Sequence, residues 1–114
     1  MSSRASIEVK GRVVELDEDG HLADPEQWSP DVAMALAEQD GIDLSADRWW
    51  LIEFVRDYHN TYDTPPLMRV VIAAMRENRK DPSISSRDLY RLFSTNPVRQ
   101  ACCYAGLKKP DWCI

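Results

Sequence analysis

The sequence predicts an α+β fold, mostly helical: a small N-terminal β-hairpin or sheet packed on a bundle of about five helices, with a mobile C-terminal arm. Three observations carry this reading. Residues 6–16 alternate apolar and polar around a Lys-Gly turn. From Ser29 onward the apolar spacing changes to threes and fours, punctuated by helix caps. After Gly106 the helical spacing stops, and the last eight residues contain Pro110.

Each element has its own warrant. Ser6–Val9 and Arg12–Leu16 alternate about Lys10-Gly11, which reads as a hairpin. Asp19-Gly20 is a second turn signal, with a short third strand expected near His21-Leu22. Ser29 caps a helix with Pro30 at its first position, and Gly41 ends it. Ser45 caps the next helix, where Leu51, Phe54, Val55, Tyr58 and Tyr62 fall on one face. Thr64-Pro65-Pro66 ends that helix and opens another, with Leu67, Val70, Val71 and Ala74 on its stripe. Asp81-Pro82-Ser83 is a loop. Ser85 or Ser86 caps a short helix carrying Leu89, Leu92 and Phe93. Asn96-Pro97 opens the last helix and Gly106 closes it. The expected division is residues 1–106 as one domain and 107–114 as the arm.

At 114 residues, 44% hydrophobic and 29% charged, the chain suits one soluble domain with its own core. No apolar run approaches the roughly 20 residues a membrane span needs. Met1 to Val9 has no apolar core of a secretory signal, so the expected compartment is the reducing cytoplasm. The net charge of −5 divides unevenly: residues 1–68 carry −10 and residues 69–114 carry +5. The acidic part argues against wrapping nucleic acid. The basic part suits an acidic protein or an RNA backbone, or is simply a solvated surface.

The three cysteines, Cys102, Cys103 and Cys113, all lie in the last 13 residues. That is no disulfide framework. Val98, Ala101, Cys102 and Ala105 form an i, i+3, i+4, i+7 stripe, so Cys102 faces the core and Cys103 a more exposed side. A buried cysteine is usually a small hydrophobe, and Cys102 has that reading beside a chemical one. Cys113 has no core role so near a chain end; it is incidental or functional. Seven residues separate it from Gly106, an extended reach of about 23 Å. That reach suits entry into a partner's active-site channel. The same arm can fold back toward the roughly 4.4–6.8 Å Cα separation a disulfide with Cys102 requires. Lys108 and Lys109 favour a Cys113 thiolate, while Asp111 and the terminal carboxylate oppose it. Any net activation then falls to Arg99, to other basic residues of the body, or to a partner.

Other constellations give weaker signals. His21 and His59 have no neighbours at ligand spacing, so neither a metal site nor a cofactor is expected. No phosphate loop or nucleophile elbow is present. Asp17, Glu18 and Asp19 read as a solvated turn. Arg69, Arg76, Arg79 and Lys80 form a basic cluster, either a solvated face or a docking surface. The helices at 66–79 and 85–93 also admit a helix-turn-helix regulator. That reading leaves Cys113 unexplained.

A set of motifs resembles one family across nearly the whole chain. They are Glu8-Val9-Lys10-Gly11 with Asp17-Glu18-Asp19-Gly20-His21-Leu22, the Trp28 segment, Trp49 to Tyr58, and Pro65-Pro66-Leu67-Met68-Arg69. Leu89-Tyr90-Arg91-Leu92-Phe93, Pro97-Val98-Arg99-Gln100-Ala101 and Ala105-Gly106-Leu107 follow, with Lys109-Pro110 and the penultimate Cys113 at the end. The chain is similar to the sulfur-carrier proteins typified by the gamma protein of dissimilatory sulfite reductase, DsrC, and its tRNA-thiolation relative, TusE. The resemblance implies a carrier that acts as a protein co-substrate rather than a stand-alone enzyme. It implies that Cys113 accepts a persulfide from an upstream sulfurtransferase and presents it to a partner: the sulfite reductase, or a relay protein of tRNA 2-thiouridine synthesis. Cys102 matches the second cysteine of the sulfite-reductase type, which shares the sulfur as a trisulfide or closes a disulfide. Tail positions depart from the pattern: Lys108 stands where proline is common, Cys103 is an extra thiol, and Trp112 is bulky. Phe93-Ser94-Thr95-Asn96 lacks the usual proline and glycine. Cys103, Arg99, Lys108 and Lys109 are the accessory candidates.

Overall fold

A computed structural model describes residues 6–110. Strands β1 (Ser6–Val9) and β2 (Arg12–Glu15) pair antiparallel, with Ile7 opposite Val14 and Val9 opposite Arg12. Both turn residues are left-handed, Lys10 at φ 51° and Gly11 at φ 81°. Such a two-residue turn matches the twist of its strands. Val14 is buried, and Ile7 and Val9 pack on the core. The expected third strand reduces to one bridge between Leu16 and Leu22. Both residues are buried, and the Asp17 and Ala23 N–H groups donate to the His21 and Glu15 carbonyls on either side, so apolar anchoring and two backbone hydrogen bonds hold that segment.

Five helices follow: α1 (Pro30–Gln39), α2 (Ala46–Tyr62), α3 (Met68–Arg79), α4 (Ser86–Leu92) and α5 (Pro97–Tyr104). The caps are those the sequence predicts. Ser29, Ser45 and Asn96 accept from Val32, Arg48 and Arg99 backbone N–H groups. Ser85 and Asp88 form a reciprocal capping box at α4. Helix α5 lies against α1, α2 and α4, so the cysteine-bearing helix is central.

Two apolar stripes differ from expectation. On α2 the buried residues are Leu51, Ile52 and Val55. Phe54 and Tyr58 are half-buried and Tyr62 is 62% exposed. The four aromatics at i, i+4 spacing stack on one another instead: Trp50 on Phe54 at 5.2 Å, Phe54 on Tyr58 at 6.0 Å, Tyr58 on Tyr62 at 4.5 Å. Mutual ring packing replaces burial for that row. On α3, Val71 and Met75 are buried, while Leu67 is the exposed N-cap. The helix starts at Met68 rather than at Pro66, and its buried row runs through Val71 and Met75 instead of Val71 and Ala74.

Two of the four residues of the basic cluster serve the fold. Arg76 Nε donates to the Ile84 carbonyl at 2.7 Å, and Arg79 pairs with Asp47.

Since α5 starts at one side-chain cap, Asn96→Ala should cost about 1 kcal/mol. The check is a urea melt, with a lower midpoint and an unchanged slope. An unaltered midpoint would show that Pro97 and tertiary packing set the helix start alone.

Candidate functional site

Helix α5 presents its predicted stripe to the core. Val98, Ala101, Cys102 and Ala105 are at most 1% exposed. Tyr104, which the stripe omits, is also buried, and its hydroxyl donates to Asp40 at 2.6 Å. Burial first, then that hydrogen bond, pushes the phenol well above its usual range.

Cys102 and Cys103 occupy different environments. Cys102 is fully buried. Cys103 is half-buried, with its Sγ 3.5 Å from the Gly20 carbonyl. Desolvation raises its thiol to about 12, Asp40 and Asp17 add to the shift, and Arg99 opposes it. At neutral pH Cys103 is therefore a protonated thiol and a poor nucleophile. Arg99 and Cys103 line one cleft of about 300 Å³ with Asp19, His21 and Asp40.

The end of α5 is closed by a paired hydrogen-bond motif. Gly106 N–H donates to the Cys103 carbonyl at 3.2 Å, and Leu107 N–H to the Cys102 carbonyl at 2.9 Å. Gly106 has φ 78°, the left-handed geometry this closure needs. A side chain is excluded there twice over. A Cβ on Gly106 would lie 2.5–2.8 Å from atoms of Trp28.

Three carbonyls leaving α5 each receive a donor from a distant element. Trp28 Nε1 donates to Tyr104 O at 2.7 Å. Arg56 Nη1 donates to Ala105 O at 2.8 Å. The ring Nδ1 of buried His21 sits 2.8 Å from Leu107 O and, facing a carbonyl, is the donor. The Arg56 guanidinium also lies over the Trp28 ring, 4.1 Å from its centroid. Burial lowers the Arg56 pKa from its ordinary value, and Asp57 opposes that.

Local sequence explains how His21 gets there. Asp17 Oδ1 accepts from the Asp19 and His21 N–H groups, and Gly20 N–H donates to the Asp17 carbonyl. This tight loop turns the imidazole inward. Beyond the helix, Leu107 and Pro110 are buried and Lys108 is exposed. Lys109 Nζ lies 3.7 Å from Asp19 Oδ1. Cys113, with Asp111, Trp112 and Ile114, lies outside the described residues.

The structure thus brings Cys103 and Arg99 together, seats Cys102 in the core and places Lys108 and Lys109 in the segment that follows α5. Sequence reasoning missed Arg56 and Tyr104 and set His21 aside. Their partners stand 49, 64 and 86 residues away, so no local spacing signals them. Among the described residues no group of three or more histidine, cysteine or carboxylate side chains is placed to hold a metal ion. No helix among them is long and apolar enough to cross a membrane.

Two measurements test this geometry. At pH 8, iodoacetamide should label Cys103 at least about tenfold more slowly in the folded chain than in urea, because the folded thiol is hardly ionised. The sign for stability follows. From about 9, the ordinary value, to about 12, the unfolded thiol ionises while the folded one does not. Stability from this group therefore falls as pH rises through that window. Equal labelling rates would place Cys103 in a more polar environment. Gly106→Ala should cost about 2 kcal/mol or more, from the left-handed backbone and the Trp28 overlap together. Thermal melting reads this as a drop of about 5 °C or more.

Comparison with known proteins matches this geometry. The family model described as "DsrC like protein" matches residues 8–114. Sulfurtransferase TusE of Escherichia coli (strain K12) is 40% identical over 105 residues, covering 92% of this chain and 96% of the relative. Sulfurtransferase TusE of Yersinia pestis is 39% identical over 108 residues, covering 95% and 99%. The solution structure of Allochromatium vinosum DsrC aligns with a TM-score of 0.86 at 37% identity, covering 98% of this chain and 100% of that one. The oxidized gamma-subunit of the dissimilatory sulfite reductase (DsrC) from Archaeoglobus fulgidus aligns at 0.85 and 34% identity, covering 96% and 100%. On sequence and fold alike, the chain belongs to the DsrC-like family.

Proposed function

We propose that this chain is a sulfur carrier that takes up sulfane sulfur on Cys113 and delivers it to a partner protein. One observation supports this most: the family match runs to residue 114 and so includes the penultimate cysteine. In this reading the Cys113 thiolate attacks the outer sulfur of a donor persulfide. The donor cysteine leaves as a thiolate, and Cys113 holds the transferred sulfur. Residues 107–114 act as the arm, with buried Leu107 and Pro110 as its root. Three residues beyond Pro110, Cys113 has a reach of about 10 Å from that root. Cys102 is the resolving thiol. Its thiolate attacks the inner sulfur of the Cys113 persulfide, closing a Cys102–Cys113 disulfide and releasing the outer sulfur as hydrosulfide. Holding that sulfur as a trisulfide instead takes a two-electron oxidant supplied by the partner. Cys102 is fully buried, so this step requires the core around the end of α5 to open enough to admit Cys113 and ionise the thiol. Cys103, protonated and facing another cleft, takes no part in this exchange.

Two routes fit. Cys102, matching the second cysteine of the sulfite-reductase type, favours a partner in dissimilatory sulfur metabolism. The 40% identity to proteins named sulfurtransferase TusE favours a sulfur relay for tRNA thiolation. We place the exchange in the reducing cytoplasm. The helix-turn-helix reading does not fit: the family is one of sulfur carriers, α4 has only seven residues, and Arg76 and Arg79 are occupied within the fold.

The test is intact-mass analysis with peptide mapping after incubation with a persulfide donor and a sulfurtransferase. One added sulfur on Cys113 is expected, or a Cys102–Cys113 disulfide with release of hydrosulfide. Cys102→Ser should keep the persulfide and lose the disulfide. Loading of Cys113→Ser at the wild-type level would overturn the assignment.

A further inference from the structure

The cations around the arm root converge on a cavity that the carrier reading does not use. It measures about 530 Å³ and lies between α2 and residues 107–110. Arg56 and His59 line the body side, and Lys108 and Lys109 line the root side. Glu26 and Asp63 also face it.

Arg56 is the unusual member. Its Nη1 is committed to the Ala105 carbonyl, and its plane is held on the Trp28 ring. Its other N–H groups have no hydrogen-bond partner among the described residues, and it forms no ion pair with them. Lys108 likewise forms none. Lys10, Arg79, Arg91 and the cavity's own Lys109 differ, each being paired with a carboxylate. A fixed, partly desolvated guanidinium with unused donors offers a planar fork that pairs with two oxygens of a tetrahedral oxyanion.

We propose that this cavity is a binding site for a small sulfur oxyanion, held by Arg56 from the body and Lys108 from the arm root. Glu26 and Asp63 weaken the net positive field. Recognition then depends on directed hydrogen bonds from Arg56, and the site selects sulfate or thiosulfate over chloride. One wall is the body and the other the root, so the bound anion ties residues 107–110 to α2. Its effect on sulfur loading rests on the carrier reading; the binding does not.

The experiment is an NMR titration of the full-length Cys113→Ser chain, which keeps thiosulfate from reacting at that thiol. Sodium sulfate and sodium thiosulfate are the probes, with sodium chloride at matched ionic strength as reference. Saturable shifts at Arg56 Nε and at the His59, Lys108 and Lys109 amides are expected with both probes and not with chloride. Arg56→Gln should weaken binding at least about tenfold, equal to about 1.4 kcal/mol. Lys108→Gln, at an exposed position, should weaken it about threefold and keeps the test decisive if Arg56→Gln fails to fold. Arg69→Gln, outside the cavity, should leave affinity unchanged. Shifts that match chloride, or affinity unaltered by both Arg56→Gln and Lys108→Gln, would overturn the site. In the wild-type chain, saturating sulfate should slow sulfur loading of Cys113, and an unchanged rate would sink the coupling. Loss of the carrier reading would show as no loading at all, with the titration intact.

Discussion

The backbone at Gly106 passes so close to the Trp28 indole that no side chain fits between them. Much of the molecule's arrangement follows from that contact. The left-handed turn it permits lets Gly106 and Leu107 satisfy carbonyls of α5 from beyond the helix end. The next outgoing carbonyls are taken by Trp28, Arg56 and His21. A helix end usually leaves its last carbonyls to water. Here they are tied to three separate parts of the fold, and residues 107–110 leave in one defined direction.

That arrangement separates the two neighbouring thiols by chemistry as well as position. Adjacent residues on a helix point about 100° apart. One rotation carries Cys102 into an apolar core, and the other leaves Cys103 between Asp17, Asp40 and Arg99. Desolvation with nearby carboxylates holds Cys103 in its protonated form. A chain with three cysteines close together thus avoids having three equivalent nucleophiles. Two of the local cations are likewise committed to the fold, Arg56 to a carbonyl and Lys109 to Asp19.

The elements of the fold were legible because they rest on local chemistry. Ser29, Ser45 and Asn96 are caps, Lys10-Gly11 is a turn, and α5 carries a clean stripe. Each of those signals spans only a few residues. Legibility failed where two local solutions compete. On α2 an aromatic row at the same spacing as the core row stacks on itself, and periodicity alone does not say which row is buried. On α3 the next core position after Val71 can be i+3 or i+4, and the buried residue is Met75 rather than Ala74. The site divides in the same way. The exposure of Cys102 and Cys103 followed from helix geometry. The donors that hold residues 104–107 did not, because each lies 49 or more residues away in sequence. His21 was weighed only as a metal ligand, and its role depends on a carbonyl 86 residues later.

The hydrogen bonds that hold the segment after α5 join residues 49, 76 and 86 apart in sequence. Each closes a long loop, whose entropic cost grows only slowly with its length. The donors come from three separate places: the loop after the hairpin, the segment before α1, and α2. Opening any one of them removes a donor while α5 keeps its own hydrogen bonds. The path of residues 107–110 is in that sense a report on the completeness of the whole fold.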